Sequence, residues 1–313
     1  MPASPPFADA LSRFVFERAA VRGAFASLDA TCGEILACHP YPPALRRVLA
    51  ELLAAAALLA STLKFKGSLI VQLRGAGPVR LLVVECDAAL ALRATAQWER
   101  ETAELPAGTD LATLAGGSAQ ARLAITLDPR DGGPLYQGIV GLEAASIAAL
   151  IEHYLTASEQ IESRLVLAAG ATRVRGMLLQ RMPGAVPGDD ATWRQASRVD
   201  LGHSDLLGAD SVGALLAARF PSDDIRVLAP RAARFRCGCS SERVENALRM
   251  LGRAEIESIL AEQGRVGVTC EFCNRRYSFD AADALALFRP GGDAPPDTGT
   301  ARQPVPARRK EGV

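Results

Sequence analysis

Residues 237–280 read CGCSSERVENALRMLGRAEIESILAEQGRVGVTCEFCNRRYSFD and hold four of the seven cysteines, as Cys237-Gly238-Cys239 and Cys270-Glu271-Phe272-Cys273. The residues between the two pairs read as two short helices and a strand. Ser240 is a helix-capping residue type and Glu242 sits in the electropositive first turn of the first helix. Val244, Leu248 and Leu251 recur at helical spacing, and Gly252 closes the helix. The second helix carries Ile256, Ile259 and Leu260 and stops at Gly264. Residues 266–269 and 275–279 then read as two strands folded over the Cys270–Cys273 turn.

Two closely spaced thiol pairs point to a tetrahedral zinc site, which takes thiolates from two short loops. A segment of roughly 45 residues is small for a self-sufficient hydrophobic core. Structural zinc supplies about 10–16 kcal/mol of apparent binding free energy in such modules, comparable with the roughly 5–15 kcal/mol stability of a whole domain. The module is therefore expected to fold around one Zn2+ and to unfold without it. Four unrelated buried cysteines would not fall into two tight pairs, and a disulfide framework requires an oxidising compartment.

The same residues carry a family resemblance. C-x-C, about thirty residues on C-x-x-C, RVENALRMLG between them and TCEFCNRRYSFD at the end resemble the redox-switch domain of the 33-kDa heat-shock chaperone family. LKFKGSLIVQLRGAGPVRLLVVECD and TASEQIESRLVLAAG resemble its core, and the similarity runs from about Phe14 to Phe288. The resemblance implies a dormant, zinc-bound reduced form with Cys237, Cys239, Cys270 and Cys273 as ligands. It implies that oxidation makes two disulfides, ejects zinc and yields an ATP-independent holdase for unfolding proteins, which dimerises on activation. Four cysteines permit three pairings. Proximity in sequence favours Cys237–Cys239 and Cys270–Cys273, because closing a short loop costs least entropy. Gly238, inside the first pair, changes no ligand and leaves that loop more flexible.

The whole chain of 313 residues carries 35 basic and 35 acidic side chains, so bulk positive charge does not recommend a nucleic-acid binder. The amino terminus lacks a basic region followed by an apolar core. The longest apolar run, residues 52–60, is too short to span a bilayer and is flanked by Glu51 and Lys64. A cytoplasmic protein with unbridged thiols is expected.

Residues 14–38 read as strand, turn and strand, punctuated by Gly23 and Gly33. Pro42 and Pro43 open a helix with Leu45, Val48, Leu49, Leu52, Leu53, Ala56, Leu59 and Leu63 along one face. A hairpin over Gly75-Ala76-Gly77-Pro78 follows; no GxxxxGK[ST] makes it a phosphate loop. Strands at 92–98, 122–127 and 135–142 come next, with turns at Asp128-Pro129 and Asp131-Gly132-Gly133. Ser146 caps a helix carrying Ile147, Leu150, Ile151, Tyr154 and Leu155, and two strands end at Leu167 and Met182. Strands and helices interspersed with hairpins favour an α+β fold over a doubly wound sheet. The expected division is an α+β core at 1–182, a metastable helical linker at 183–231, the four-cysteine zinc domain at 232–289 and a disordered tail at 290–313. Pro183-Gly184 and Pro187-Gly188 mark the first boundary. The linker's short helices carry Leu201, Leu206, Leu207, Val212, Leu215, Leu216 and Phe220; too small for their own core, they should fold only against a neighbour.

Cys32, Cys38 and Cys86 lie in strand-like contexts without ligand spacing and read as inert thiols. His39, His153 and His203 are isolated. Neither a nucleophile motif nor a Rossmann fingerprint is present, and nothing argues for an enzyme. Two other readings of the cysteine module stay open. A nucleic-acid-binding zinc ribbon would use Arg275, Arg276 and Tyr277, against the repulsion of Glu242, Glu245, Glu255, Glu257 and Glu262. A dithiol oxidoreductase would use Cys270 and Cys273, although that motif normally opens a helix.

Overall fold

Beyond its first two turns the run from Pro43 to Thr62 offers almost no polar face, and a helix apolar all round is stable only when surrounded. A computed structural model describes residues 9–62, 67–99, 102, 104–117, 119–129, 132–171, 173–183 and 189–288. In it this helix is buried along nearly its whole length. Its apolar surface is therefore wider than the single stripe expected from spacing, and it packs against strands of two sheets.

The described residues form two compact units that divide between Arg236 and Cys237. The first begins with β1 (Ala10–Phe16), β2 (Val21–Ser27), α1 (Asp29–Ala37) and the long helix, α2 (Pro43–Thr62). It continues through β3 (Ser68–Arg74), β4 (Val79–Asp87), β5 (Ala91–Trp98), α3 (Leu111–Ala115), β6 (Arg122–Asp128) and β7 (Tyr136–Gly141). Then follow α4 (Ile147–Ala157), β8 (Ser163–Ala169), β9 (Val174–Arg181), α5 (Asp189–Ser197), α6 (His203–Gly208) and α7 (Val212–Arg219). It ends with β10 (Ile225–Val227), β11 (Arg231–Ala232) and β12 (Arg234–Phe235). One sheet runs β10-β1-β2-β9-β8, with β11 also on β1, and the other runs β12-β5-β4-β3-β6-β7. Every pairing is antiparallel except β12 on β5. Antiparallel sheets around one buried helix make an α+β fold, as the pattern of elements suggested.

The expected hairpin over residues 75–78 is β3–β4. Its glycines are required by close approach: a Cβ on Gly77 would stand 2.1 Å from the Gly116 backbone nitrogen. The second strand expected in residues 14–38 ends early. Residues 29–37 form α1, so Cys32 is helical and Cys38 is its C-cap. The Asp9 carboxylate accepts from the Ala30 and Thr31 amides at the start of α1, while Cys32, Ile35 and Leu36 bury one face. Gly33, read as punctuation, has nothing within 4 Å of a Cβ and is tolerated in the helix.

Helices α5–α7 pack on the face of the first sheet that α2 does not occupy. Trp193, Leu206, Leu215, Leu216 and Phe220 form a buried cluster with Phe14, Phe16, Phe25 and Met177. The rings of Phe16 and Phe220 meet edge to face at 5.3 Å. Arg175 of β9 is the polar centre of this layer: its Nη1 donates to the carbonyls of Leu206 (3.0 Å), Leu207 (3.1 Å) and Ala209 (2.8 Å), where α6 ends. The neighbour that the helical segment needs is thus the first sheet.

The second unit holds α8 (Ser241–Leu251), α9 (Arg253–Gln263), the β13 (Val266–Thr269) and β14 (Arg276–Phe279) hairpin, and α10 (Ala281–Ala286). Its core is small: Leu248, Ile256, Val266, Phe279 and Ala284. Leu63, Lys64, Asp131, Gly184, Pro187, Gly188 and the tail 290–313 lie outside the described residues.

Candidate metal centre

The C-x-C pair sits in the loop that runs from β12 into α8. Ser240 ends that loop, its Oγ accepting from the Arg243 amide at 3.2 Å. This fixes where the chain turns helical, immediately after Cys239. A Cβ on Gly238 would stand 3.1 Å from Arg243 Nη1, so the missing side chain leaves room for that guanidinium.

The C-x-x-C pair forms the tip of the β13–β14 hairpin. Val266 pairs with Phe279 and Thr269 with Arg276. Beyond Thr269 the ladder closes into a knuckle, with the Cys270 amide donating to the Arg275 carbonyl and the Asn274 amide to the Cys270 carbonyl, both at 2.8 Å. Asn274 takes a left-handed φ of 57°. Asparagine is among the few non-glycine residues that adopt it readily.

The two loops bring all four sulfurs together, each within 4.8 Å of every other. Cys237 Sγ lies 3.6 Å from Cys270 Sγ, and Cys239 Sγ lies 3.4 Å from Cys273 Sγ. A disulfide needs about 2.05 Å, so the pairs are unbonded thiols. Four thiolates at about 2.3 Å from a tetrahedral Zn2+ stand about 3.8 Å apart. The residues fit that ion in number, type and spacing.

The thiols do not titrate alike. Burial pushes Cys237 and Cys273 up. For Cys239 burial also acts upward, but the neighbouring Tyr277 hydroxyl and the other three sulfurs outweigh it and bring the thiol to about 7. Tyr277 Oη is buried without a partner at full hydrogen-bond geometry; its influence on Cys239 is that of a long contact. Arg275 adds positive charge on the same side. Four convergent sulfurs suit a cation, since a cation favours thiolate at every position.

Among the described residues no other group of three or more cysteine, histidine or carboxylate side chains converges on one point. Cys32 and Cys86 are buried, and burial raises each thiol to about 12, which suits inert packing. Of the strand-like contexts expected for the three upstream cysteines, only that of Cys86, in β4, is found. His39 packs its ring 5.4 Å from that of Tyr41, and His153 and His203 lie in α4 and α6. Tyr277 is what sequence spacing missed as part of the site. Tyr277 stood out only as an aromatic residue beside basic ones, whereas β14 turns its hydroxyl toward sulfur. The C-x-x-C pair lies between two strands and opens no helix.

A family model described as Hsp33 protein matches residues 9–280. The 33 kDa chaperonin of Methylobacillus flagellatus is 42% identical over 294 residues, covering 91% of this chain and 98% of the relative. That of Chromobacterium violaceum is 41% identical over 283 residues, covering 90% and 94%. The crystal structure of the 33 kDa chaperonin (heat shock protein 33 homolog) from Thermotoga maritima shares the fold, with a TM-score of 0.75 at 21% identity over 89% of this chain and 97% of that one.

Proposed function

The chain belongs to the Hsp33 family, and from that premise we propose that it is a redox-regulated, ATP-independent holdase chaperone of the oxidative-stress response. The observation that carries the reading is the convergence of Cys237, Cys239, Cys270 and Cys273 to within 4.8 Å. In the reduced, inactive state these four would hold one Zn2+ per chain. Bound there, the ion would keep the sulfurs as thiolates and tie the two loops together.

On this reading one thiolate attacks a peroxide oxygen and breaks the O–O bond, giving a sulfenic acid and releasing hydroxide. A second cysteine then displaces that hydroxyl as water and forms a disulfide. Each disulfide consumes one peroxide, and two use all four ligands as Cys237–Cys239 and Cys270–Cys273. Neither product is a good zinc ligand, so the module loses its fastener. The tight Cys237–Cys239 ring would be readily reduced, which makes the change reversible by cellular thiols.

The working parts would be a core at 1–182, a metastable linker at 183–231 and a redox switch at 232–289. Helices α5–α7 rest on the first sheet through the Phe220 and Trp193 cluster. The chain between Phe220 and Cys237 joins them to the switch, and melting of the switch would act on them along it. Lifting them uncovers Phe14, Phe16, Phe25 and Met177, an apolar face for unfolding client proteins. A homodimer when oxidised and a cytoplasmic setting complete the proposal; no described helix is long and apolar enough to cross a membrane.

The test measures zinc content and suppression of aggregation of a heat-labile protein, before and after peroxide, without ATP. Stoichiometric zinc with little protection before, and lost zinc with protection after, is the expected pair of results. Equal protection in both states would end the proposal.

A further inference from the structure

The α2-facing side of the first sheet carries a charge cluster in which the cysteines take no part. Register sets Arg13 of β1 opposite Ala24, Arg22 of β2 opposite both Val15 and Gln180, and Arg231 of β11 opposite Leu11. Alternation along the strands puts all three arginines on one face. They line a cavity of about 200 Å³ with Gln180, Ser61 and Thr62, the rest of the wall being apolar and free of carboxylates.

What sets this cavity apart is uncompensated charge. None of the three arginines pairs with a carboxylate among the described residues. Arg22 Nε donates to Gln180 Oε1 at 3.1 Å, and Gln180 Nε2 donates to Ser163 Oγ at 3.3 Å. That chain fixes the guanidinium plane, and among the described residues neither terminal nitrogen of Arg22 has a protein acceptor. Arg231 is steadied by a bond from Nη2 to the Ala88 carbonyl, and the exposed Arg13 side chain makes no hydrogen bond or ion pair among the described residues. Burial and the nearby Arg13 charge both push the Arg22 pKa down from its ordinary value. Like charges held together in a partly desolvated wall are unfavourable unless an anion joins them.

We propose that this cavity binds a phosphate group, either inorganic phosphate or a small phosphomonoester, with Arg13, Arg22 and Arg231 as its ligands. Guanidinium forks match phosphate oxygens in pairs. Three of them suit a tetrahedral dianion better than a carboxylate, which offers two oxygens and one charge. The C-terminal end of α2 opposes an anion through its carbonyl dipoles. The Ser61 and Thr62 hydroxyls blunt this by donating to the Leu58 and Leu59 carbonyls at 2.7 and 2.8 Å. They are thereby spent as donors, so the arginines carry the binding. The volume admits a phosphate and a few further heavy atoms and is below the range of about 300–1,000 Å³ of drug-sized sites.

The experiment is calorimetric titration of the full-length reduced protein with inorganic phosphate at constant ionic strength, with sodium chloride as reference, and then with glycerol phosphate. Saturable heat is expected, with affinity at least tenfold weaker in Arg13→Gln or Arg22→Gln, about 1.4 kcal/mol. Arg18→Gln, which removes an exposed charge from the β1–β2 turn, should leave it unchanged. Should Arg22→Gln fail to fold, Arg13→Gln decides, because the exposed Arg13 side chain holds no described element in place. Tighter binding of glycerol phosphate identifies a phosphomonoester, and equal or weaker binding identifies the free ion. No saturable heat, or the same affinity in Arg13→Gln as in the unaltered chain, overturns the proposal.

Discussion

Stripping the metal from the reduced protein should unfold residues 237–286 and leave the two sheets of the first unit standing. The size of the effect follows from the second unit's core, which has only four large buried side chains, Leu248, Ile256, Val266 and Phe279. At about 1.5–3 kcal/mol each they supply about 6–12 kcal/mol before chain entropy is set against them. A four-thiolate zinc site supplies about 10–16 kcal/mol, as much as the whole apolar core. Its loss exceeds any stability a unit of this size holds in reserve. Amide hydrogen exchange with and without a strong chelator is the measurement. Protection should collapse across α8, α9 and the β13–β14 ladder, while β1, β2 and β9 keep theirs. If elemental analysis shows zinc gone and the β13–β14 amides remain protected, the metal is not the fastener and the proposed switch fails.

Other perturbations test the packing of the first unit. Arg175→Met keeps the bulk of the side chain but removes its bonds to the ends of α6, so it should cost about 3 kcal/mol in urea denaturation. Exchange protection should then be lost first in α5–α7. Phe220→Ala deletes a fully buried ring from the same layer and should cost about 3–5 kcal/mol by the same measurement. Glu51, inside α2, has its pKa raised by burial against the opposing pull of Arg47. The native carboxyl therefore keeps its proton to a higher pH than the unfolded one, and stability falls as pH rises from the unfolded value through the native one. Glu51→Gln should be at least as stable as the natural chain near neutral pH, and its advantage should vanish in acid; an advantage that grows in acid would reverse the sign of this reasoning.

How much of this was legible depends on how local each signal is. The helix caps at Ser146 and Ser240, the hairpin over residues 75–78 and the knuckle at residues 270–273 are all set by neighbours in sequence, and each lies where spacing placed it. α1 was misread as strand because its start is fixed by Asp9, about twenty residues upstream, a partner that no local window contains. α3, α10 and the short strands β11 and β12 are too brief to show a period. The face on which α5–α7 rest was hidden for a different reason. Phe14, Phe16 and Phe25 look like ordinary core residues, and only the pairing of β1, β2 and β9 reveals that the sheet has two apolar sides. At the cysteines, sequence supplied the four residues but not the order of their contacts.

That order bears directly on the switch. Cys237 contacts Cys270 and Cys239 contacts Cys273, each pair bridging the two loops. Disulfides formed along those contacts would each close a loop of about 34 residues and restrain the unfolded chain by about 3–4 kcal/mol. Oxidation would then replace one fastener with another and hold the module shut. Bonds within each loop, Cys237–Cys239 and Cys270–Cys273, leave nothing joining the loops, so the module opens. The proposed release therefore requires the pairing that proximity in sequence favours over one along the contacts that bridge the loops. Mapping the disulfides by mass spectrometry after peroxide treatment tests this. Cross-loop bonds in a protein that nonetheless protects clients would show that activation proceeds without melting the module.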